Sequence, residues 1–417
     1  MLRQIEGSRA VAEAVARCRP EVVCAYPISP QTHIIEALGV MVRTGELDPC
    51  EFINVESEFA AMSVALGASA AGARAYTATA SQGLLFMMEA VYNVAGLGLP
   101  VVMTLANRAV GAPINIWNDH SDAMAVRDAG WVMLFAESNQ EAADLHVQAF
   151  RLAEEVSVPV MVCMDGFILT HAVERVDLVS QADVDAYLPP YVPRQVLDPD
   201  EPVSIGAMVG PEAFTEVRYL AHARQLEALR RIPEISAEFA ATFGRDSGGL
   251  VHPYRTEDAD VVVVALGSIL GTIEDAVDTV RQRGRAVGAL GVTTFRPFPL
   301  EALRAALGRA RRVVVVEKAF SVGFGGVLST DVAMAGTGLG FDVATVVAGL
   351  GGRPVTEASL CTMLEDAVAS RLGRLTFLDL DHGVVERELG RMAERRRSGP
   401  TAENILRDIG TGAGGRS

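Results

Sequence analysis

Glu56-Ser57-Glu58 spans the end of a short apolar run and the start of a helix-like one. A carboxylate there can complement the positive end of a helix dipole. Set among Phe59, Ala60, Ala61 and Met62, Glu58 could instead exchange a proton with a cofactor nitrogen. Arg108 follows the apolar run at 101–106. An arginine at a strand's carboxyl end suits two-pronged capture of a small carboxylate. It could equally be a solvated loop residue or an ion-pair partner of Asp119 or Asp122. Asn118-Asp-His-Ser-Asp122 has the residue types of a metal or acid–base cluster, but its spacing matches no helical or hairpin metal pattern. A polar loop at a subunit interface is the expectation. Gly323-Phe-Gly-Gly326 and Gly349-Leu-Gly-Gly-Arg353 could cradle a phosphate. Neither carries the Lys-Ser/Thr of a P-loop, so turns are the default. Lys318, the only lysine, stands beside Glu317 at a strand end. A Schiff base is possible there in principle; an ion pair is commoner.

These residues need a scaffold that brings strand ends together. Strand-like runs at 22–25, 52–54, 74–80, 100–106, 131–137 and 158–164 alternate with helical ones at 32–44, 57–71, 84–95 and 139–156. Ser8 is positioned to cap a further helix through Cys18, and Ser81-Gln-Gly83 reads as a turn. Such alternation predicts a doubly wound parallel α/β sheet, with ligands at the carboxyl ends of its strands. Those ends are 26–30, 56–58, 81–83 and 107–122. A proline-rich connector with one amphipathic helix near 212–232 follows, then a second α/β unit from Asp258. The expected division is a first α/β unit at 1–180, a connector at 181–255, a second α/β unit at 256–372 and an extension at 373–417, which contains the basic run 395–397.

Composition narrows the classes. The chain has 417 residues, half of them apolar and 21% charged, which is ordinary globular usage over more than one domain. Its net charge of −16 argues against nucleic acid or an anionic membrane as a principal partner. The longest apolar run, at 60–73, is too short and too rich in small residues for a membrane span, and the first residues have no signal-like apolar core. Five scattered cysteines form no zinc or iron–sulfur pattern and fit buried thiols in a reducing cytoplasm.

Ala25-Tyr-Pro-Ile-Ser-Pro-Gln-Thr, Val55-Glu-Ser-Glu58, Thr77-Ala-Thr-Ala-Ser-Gln-Gly83, Ala106-Asn-Arg108 and Asn118-Asp-His-Ser-Asp122 occur in this order. So do Asp165-Gly-Phe, Thr294-Phe-Arg-Pro-Phe-Pro, Val315-Val-Glu-Lys and Gly349-Leu-Gly-Gly-Arg. The ordered set resembles the 2-oxoacid:ferredoxin oxidoreductases, specifically an α subunit of the pyruvate:ferredoxin type, over roughly residues 5 to 370. The resemblance implies a first domain that binds the pyrimidine half of thiamine diphosphate and a second like the transketolase C-terminal domain. It implies that Glu58 hydrogen-bonds the aminopyrimidine ring, that Arg108 binds the substrate carboxylate, and that the Ser29 hydroxyl contacts substrate in place of the family's threonine. It also implies what lies elsewhere. The diphosphate and Mg²⁺ are held by a β subunit, the iron–sulfur clusters by partner chains such as γ and δ subunits, and no metal by this chain. The implied reaction is oxidative decarboxylation of pyruvate with coenzyme A, passing electrons to ferredoxin. The alternatives are 2-oxoglutarate, a branched-chain 2-oxoacid or oxalate as substrate, a non-redox transketolase-like enzyme, or a non-enzymatic scaffold subunit.

Overall fold

The computed structural model describes residues 2–202, 204–393 and 401–413, so the basic run 395–397 lies outside the described residues. The first sheet has seven strands, in the order Thr294–Arg296, Val132–Phe135, Val160–Asp165, Val102–Asn107, Ala75–Thr79, Val22–Ala25 and Glu51–Asn54. All run parallel except Thr294–Arg296 at one edge. The sheet is buried on both faces, and residue alternation divides its side chains between two cores. Val132, Leu134, Val160 and Val162 enter one core, while Met133, Phe135, Met161 and Cys163 enter the other.

The second sheet has six strands, in the order Leu375–Phe377, Asp342–Val347, Arg312–Glu317, Val261–Ala265, Val287–Val292 and Val251–Tyr254. Only the last is antiparallel. Val262, Val264, Val313 and Val315 of this sheet share a core with Met103, Leu105, Met133 and Phe135 of the first. The opposite faces of the same strands, Val261, Val263, Val314 and Val316, pack with Ile273, Val277 and Leu364. One apolar core therefore joins the two units. The strand Thr294–Arg296 reinforces the join by leaving the second unit to pair with Val132–Phe135.

Several elements depart from the expectation. The helix near 212–232 continues as Phe214–Phe243, through Pro233. A proline inside a helix forfeits a hydrogen bond and costs about 3 kcal/mol in isolation. Burial of Ile232, Ile235 and Phe239 against the first core holds the helix together across it. Ser8 is not a cap. It lies inside the helix Gly7–Arg17, fully buried, and its hydroxyl donates to the Thr170 carbonyl at 2.7 Å. A small antiparallel pair, Leu2–Glu6 with Val173–Asp177, was not anticipated, since neither segment is apolar enough to announce a strand. Among the described residues, no helix is long and apolar enough to cross a membrane. The five cysteines are free thiols, all buried except the half-buried Cys50.

Candidate active site

The parallel strands of the first sheet deliver Ser29, Glu58, Ser81, Arg108 and Asp165 to one edge, because each follows or ends its strand in the same direction. Glu58 opens the helix Glu58–Ala70, whose first turn is capped by Ser57 Oγ accepting from the Ala60 N–H at 3.2 Å. The Glu58 residue is only 8% exposed, yet among the described residues its carboxylate makes no hydrogen bond and no ion pair. Gly83 lies directly against it. A methyl there would stand 2.8 Å from Glu58 Oε1 and 2.6 Å from Thr79 Oγ1. The Thr79 hydroxyl is itself buried without a partner. A buried carboxylate costs several kcal/mol unless something pairs with it. Gly83 lets the Glu58 carboxylate and the Thr79 hydroxyl lie directly against its backbone, and neither group has a hydrogen-bond partner among the described residues.

Arg108 and Ser29 are brought into contact. The Arg108 guanidinium donates from Nη1 to the Ser29 carbonyl at 2.9 Å and from Nε to the Asn115 carbonyl at 3.2 Å. Arg108 is 7% exposed, and burial lowers its pKa from the ordinary value, with Asp122 acting in the opposite sense. An arginine stays charged regardless. The ion-pair alternative for Arg108 fails in a specific way: Asp122 Oδ2 accepts the Arg108 backbone N–H at 2.9 Å, not its guanidinium. The site thus holds a desolvated cation bonded only to neutral carbonyls. Ser29 itself is exposed, in the turn before the helix Thr32–Thr44. Among the described residues, no hydrogen bond or ion pair joins Glu58 to either residue.

The expectation of a polar interface loop at 118–122 is corrected. Asn118, Asp119, His120 and Asp122 are all buried and bonded within the chain. Asp122 accepts from the backbone N–H groups of Ser81, Arg108 and Ala123 and from the Asn107 side chain. It thereby fastens the ends of two neighbouring strands. Burial pushes its carboxyl up to about 6, against those hydrogen bonds. One strand end it fastens is strained: Ser81 has φ +50°, in the left-handed region. Ser81 therefore begins the helix Ser81–Phe86 rather than a separate turn.

Asp165 performs a similar task between the two units. It accepts from His120 Nε2 at 2.7 Å, Ser268 Oγ at 2.5 Å and Lys318 Nζ at 2.9 Å. Burial opposes its charge, but Lys318 and then His120 outweigh this and hold its carboxyl well below the ordinary range. Lys318 is thus an ion-paired residue. The glycine clusters are structural as well. Glu317 accepts from the N–H groups of Val327, Leu328 and Ser329, filling the helix end that could have taken a phosphate. Gly351 binds Asp119 and Asn115 through its backbone.

Comparison with known proteins gives the family and the fold. The family profile described as "Pyruvate flavodoxin/ferredoxin oxidoreductase, thiamine diP-bdg" matches residues 13–237, and "Pyruvate:ferredoxin oxidoreductase core domain II" matches 259–360. Pyruvate synthase subunit PorA of Methanosarcina barkeri is 48% identical over 90% of this chain and 96% of its own length. The Ketoisovalerate oxidoreductase subunit VorA of Pyrococcus horikoshii is 40% identical over 87% of this chain and 92% of its own. Among solved structures, a 2-oxoglutarate:ferredoxin oxidoreductase from Magnetococcus marinus superimposes with a TM-score of 0.67 at 19% identity, over 88% of this chain and 65% of that one. A split-gene transketolase superimposes with a TM-score of 0.53 at 16% identity, over 88% of this chain and 99% of that one. Fold and profile define an α/β protein with a thiamine-diphosphate-binding domain. Within that class, the chain belongs to the pyruvate:ferredoxin oxidoreductase family.

Proposed function

We propose that this chain is the subunit of a thiamine-diphosphate-dependent 2-oxoacid:ferredoxin oxidoreductase that binds the cofactor's pyrimidine half and the substrate carboxylate. The reaction is oxidative decarboxylation of pyruvate with coenzyme A to acyl-CoA, CO₂ and reduced ferredoxin. Its support is the PorA relatives at 41–48% identity and the thiamine-diphosphate-binding profile over the first unit. The observation in this chain that carries the substrate assignment is Arg108: a buried guanidinium without a carboxylate partner, bonded to the Ser29 turn. We place the pyrimidine-binding unit at 1–180 and the transketolase-like unit at 256–372.

Thiamine diphosphate, when bound, supplies the nucleophilic carbon and the electron sink for loss of CO₂. This chain's residues do the rest of the work on this side of the site. Glu58 holds a proton at the aminopyrimidine ring nitrogen, and its burial keeps water from that hydrogen bond. Gly83 lies directly against the carboxylate that the ring meets. Arg108 grips the 2-oxoacid carboxylate and fixes its orientation, and the Ser29 hydroxyl contacts the substrate beside it. Mg²⁺ and the diphosphate belong to a β subunit, and the iron–sulfur clusters to further subunits. Electrons must leave through those partners, because the five cysteines here are dispersed and four are buried. A reducing cytoplasm is the compartment that suits these free thiols.

The VorA relatives, at 40% identity, make a branched-chain 2-oxoacid the second candidate substrate. The test is to purify the native complex and compare coenzyme A-dependent viologen reduction across pyruvate, 2-oxoisovalerate, 2-oxoglutarate and oxalate. Pyruvate should give the highest kcat/KM. Absence of coenzyme A-dependent reduction with every member of the panel would overturn the reading.

A further inference from the structure

Apart from the strand-end site, two groups of side chains combine histidine with carboxylate closely enough to hold an ion among the described residues. In one, His252 has both ring nitrogens committed, Nδ1 to Glu137 at 3.2 Å and Nε2 to the Gly248 carbonyl at 2.6 Å. That group offers only one imidazole, with its Nε2 already spent on the backbone. The other group differs. Glu6 ends the strand Leu2–Glu6, His33 is the second residue of the helix Thr32–Thr44, and His171 lies in the loop beyond the strand Val160–Asp165. One ligand atom from each lies within 4.8 Å of the others.

We propose that Glu6, His33 and His171 form a site for a divalent transition-metal ion of zinc's chemistry. Two imidazoles and a carboxylate are a recurring three-ligand set for zinc, with a fourth position left to water. The His171 ring is already oriented as a metal-binding histidine is. Its Nδ1 lies 2.7 Å from Thr170 Oγ1, and that hydroxyl is anchored by the Phe167 N–H at 2.8 Å. With Nδ1–H donating to that hydroxyl, Nε2 is the nitrogen the ring would present to the ion. The Phe167 ring lies behind the imidazole at 4.7 Å between centroids, and Trp117 lies behind Phe167 at 4.8 Å. The imidazoles of His33 and His171 stand 4.8 Å apart, centroid to centroid. Ligand atoms about 2.1 Å from a tetrahedral ion are about 3.4 Å apart. The half-exposed His33 can therefore complete the set by side-chain rotation alone.

Without an ion, His33 Nδ1 and Glu6 Oε1 are 2.6 Å apart. An ion takes unprotonated imidazoles and an ionised carboxylate, so protons compete with it and its binding weakens as pH falls. It also ties the N-terminal strand to the helix that begins directly after the Ser29-Pro30 turn.

The test uses the full chain, stripped with a chelator and titrated calorimetrically with zinc chloride at about pH 7.5, where free imidazole is neutral. One saturable equivalent should bind, with a rise in melting temperature. His33→Gln and His171→Gln should each weaken binding by about tenfold or more, and the double variant should lose both the heat and the melting shift. His33 is exposed enough that its substitution leaves the fold intact, as circular dichroism would verify. Absence of saturable binding, or undiminished binding in the double variant with zinc held elsewhere on a thiol such as Cys50, overturns the proposal.

Discussion

Glu58 and Arg108 are opposite charges in the same predicament: each is buried, and neither forms an ion pair among the described residues. Natural proteins bear that cost where a ligand relieves it. Glu58→Gln keeps the size of the side chain and removes the acid. Turnover by the reconstituted complex should fall by roughly 10²–10⁴, with unchanged assembly by gel filtration; retained activity would refute the role. Arg108→Ala should act mainly on KM for the 2-oxoacid. Losing a charge-assisted hydrogen bond of about 1.5–3 kcal/mol corresponds to roughly ten- to a hundredfold in kcat/KM. If KM is unmoved while melting temperature drops, Arg108 serves only to hold the Ser29 turn. Both residues were visible in the sequence because each follows an apolar strand, and position after a strand is a local signal. Asp122 was visible only as a polar residue in a loop. Its work, accepting the N–H groups of Ser81 and Arg108, depends on which strands are neighbours, and no local pattern reports that.

At the scale of elements, the strand–helix alternation was legible, and the helices Thr32–Thr44 and Asn139–Val156 matched their expected spans. Periodicity failed where packing overrode local preference: at Pro233, carried through a buried helix, and at Thr294–Arg296, whose partner is more than a hundred residues away in the chain. Lys318 is the clearest case of an element-level role hidden in a single letter. It closes an ion pair between the strand ends Val160–Asp165 and Arg312–Glu317, one from each sheet. Removing one member of a buried pair strands the other charge, at a cost of about 3–5 kcal/mol. Lys318→Met should therefore lower the melting temperature by several degrees or more, while Lys318→Arg recovers part of the loss. A variant that melts with the wild type would show that Ser268 and His120 satisfy Asp165 unaided.

The whole molecule carries a pH dependence at the junction of its units. His252 on the second sheet faces Glu137 and Glu141 of the first unit, with Glu274 nearby. Burial opposes its charge, but Glu137 and Glu141 outweigh this and lift its pKa to about 9. A raised histidine stabilises the fold fully below its ordinary value near 6.5, and that contribution is lost as pH rises through 9. Glu141, pushed up to about 7 by burial and by Glu137, loses stability in the same direction but earlier, as pH rises from its ordinary value of 4.5 to about 7. Thermal melting should therefore fall between about pH 6.5 and 9, and His252→Gln should flatten that slope. A profile that is equally steep in the variant would assign the dependence to other groups.

The strand Thr294–Arg296 has a consequence for how such a chain can be divided. It covers the edge of Val132–Phe135, whose unpaired backbone would otherwise offer a template to any passing strand. Cutting between the units would bare that edge in the first half and strip the shared valine and methionine face from both. The two halves, separable as text, are therefore inherited, exchanged or expressed to advantage only as one piece.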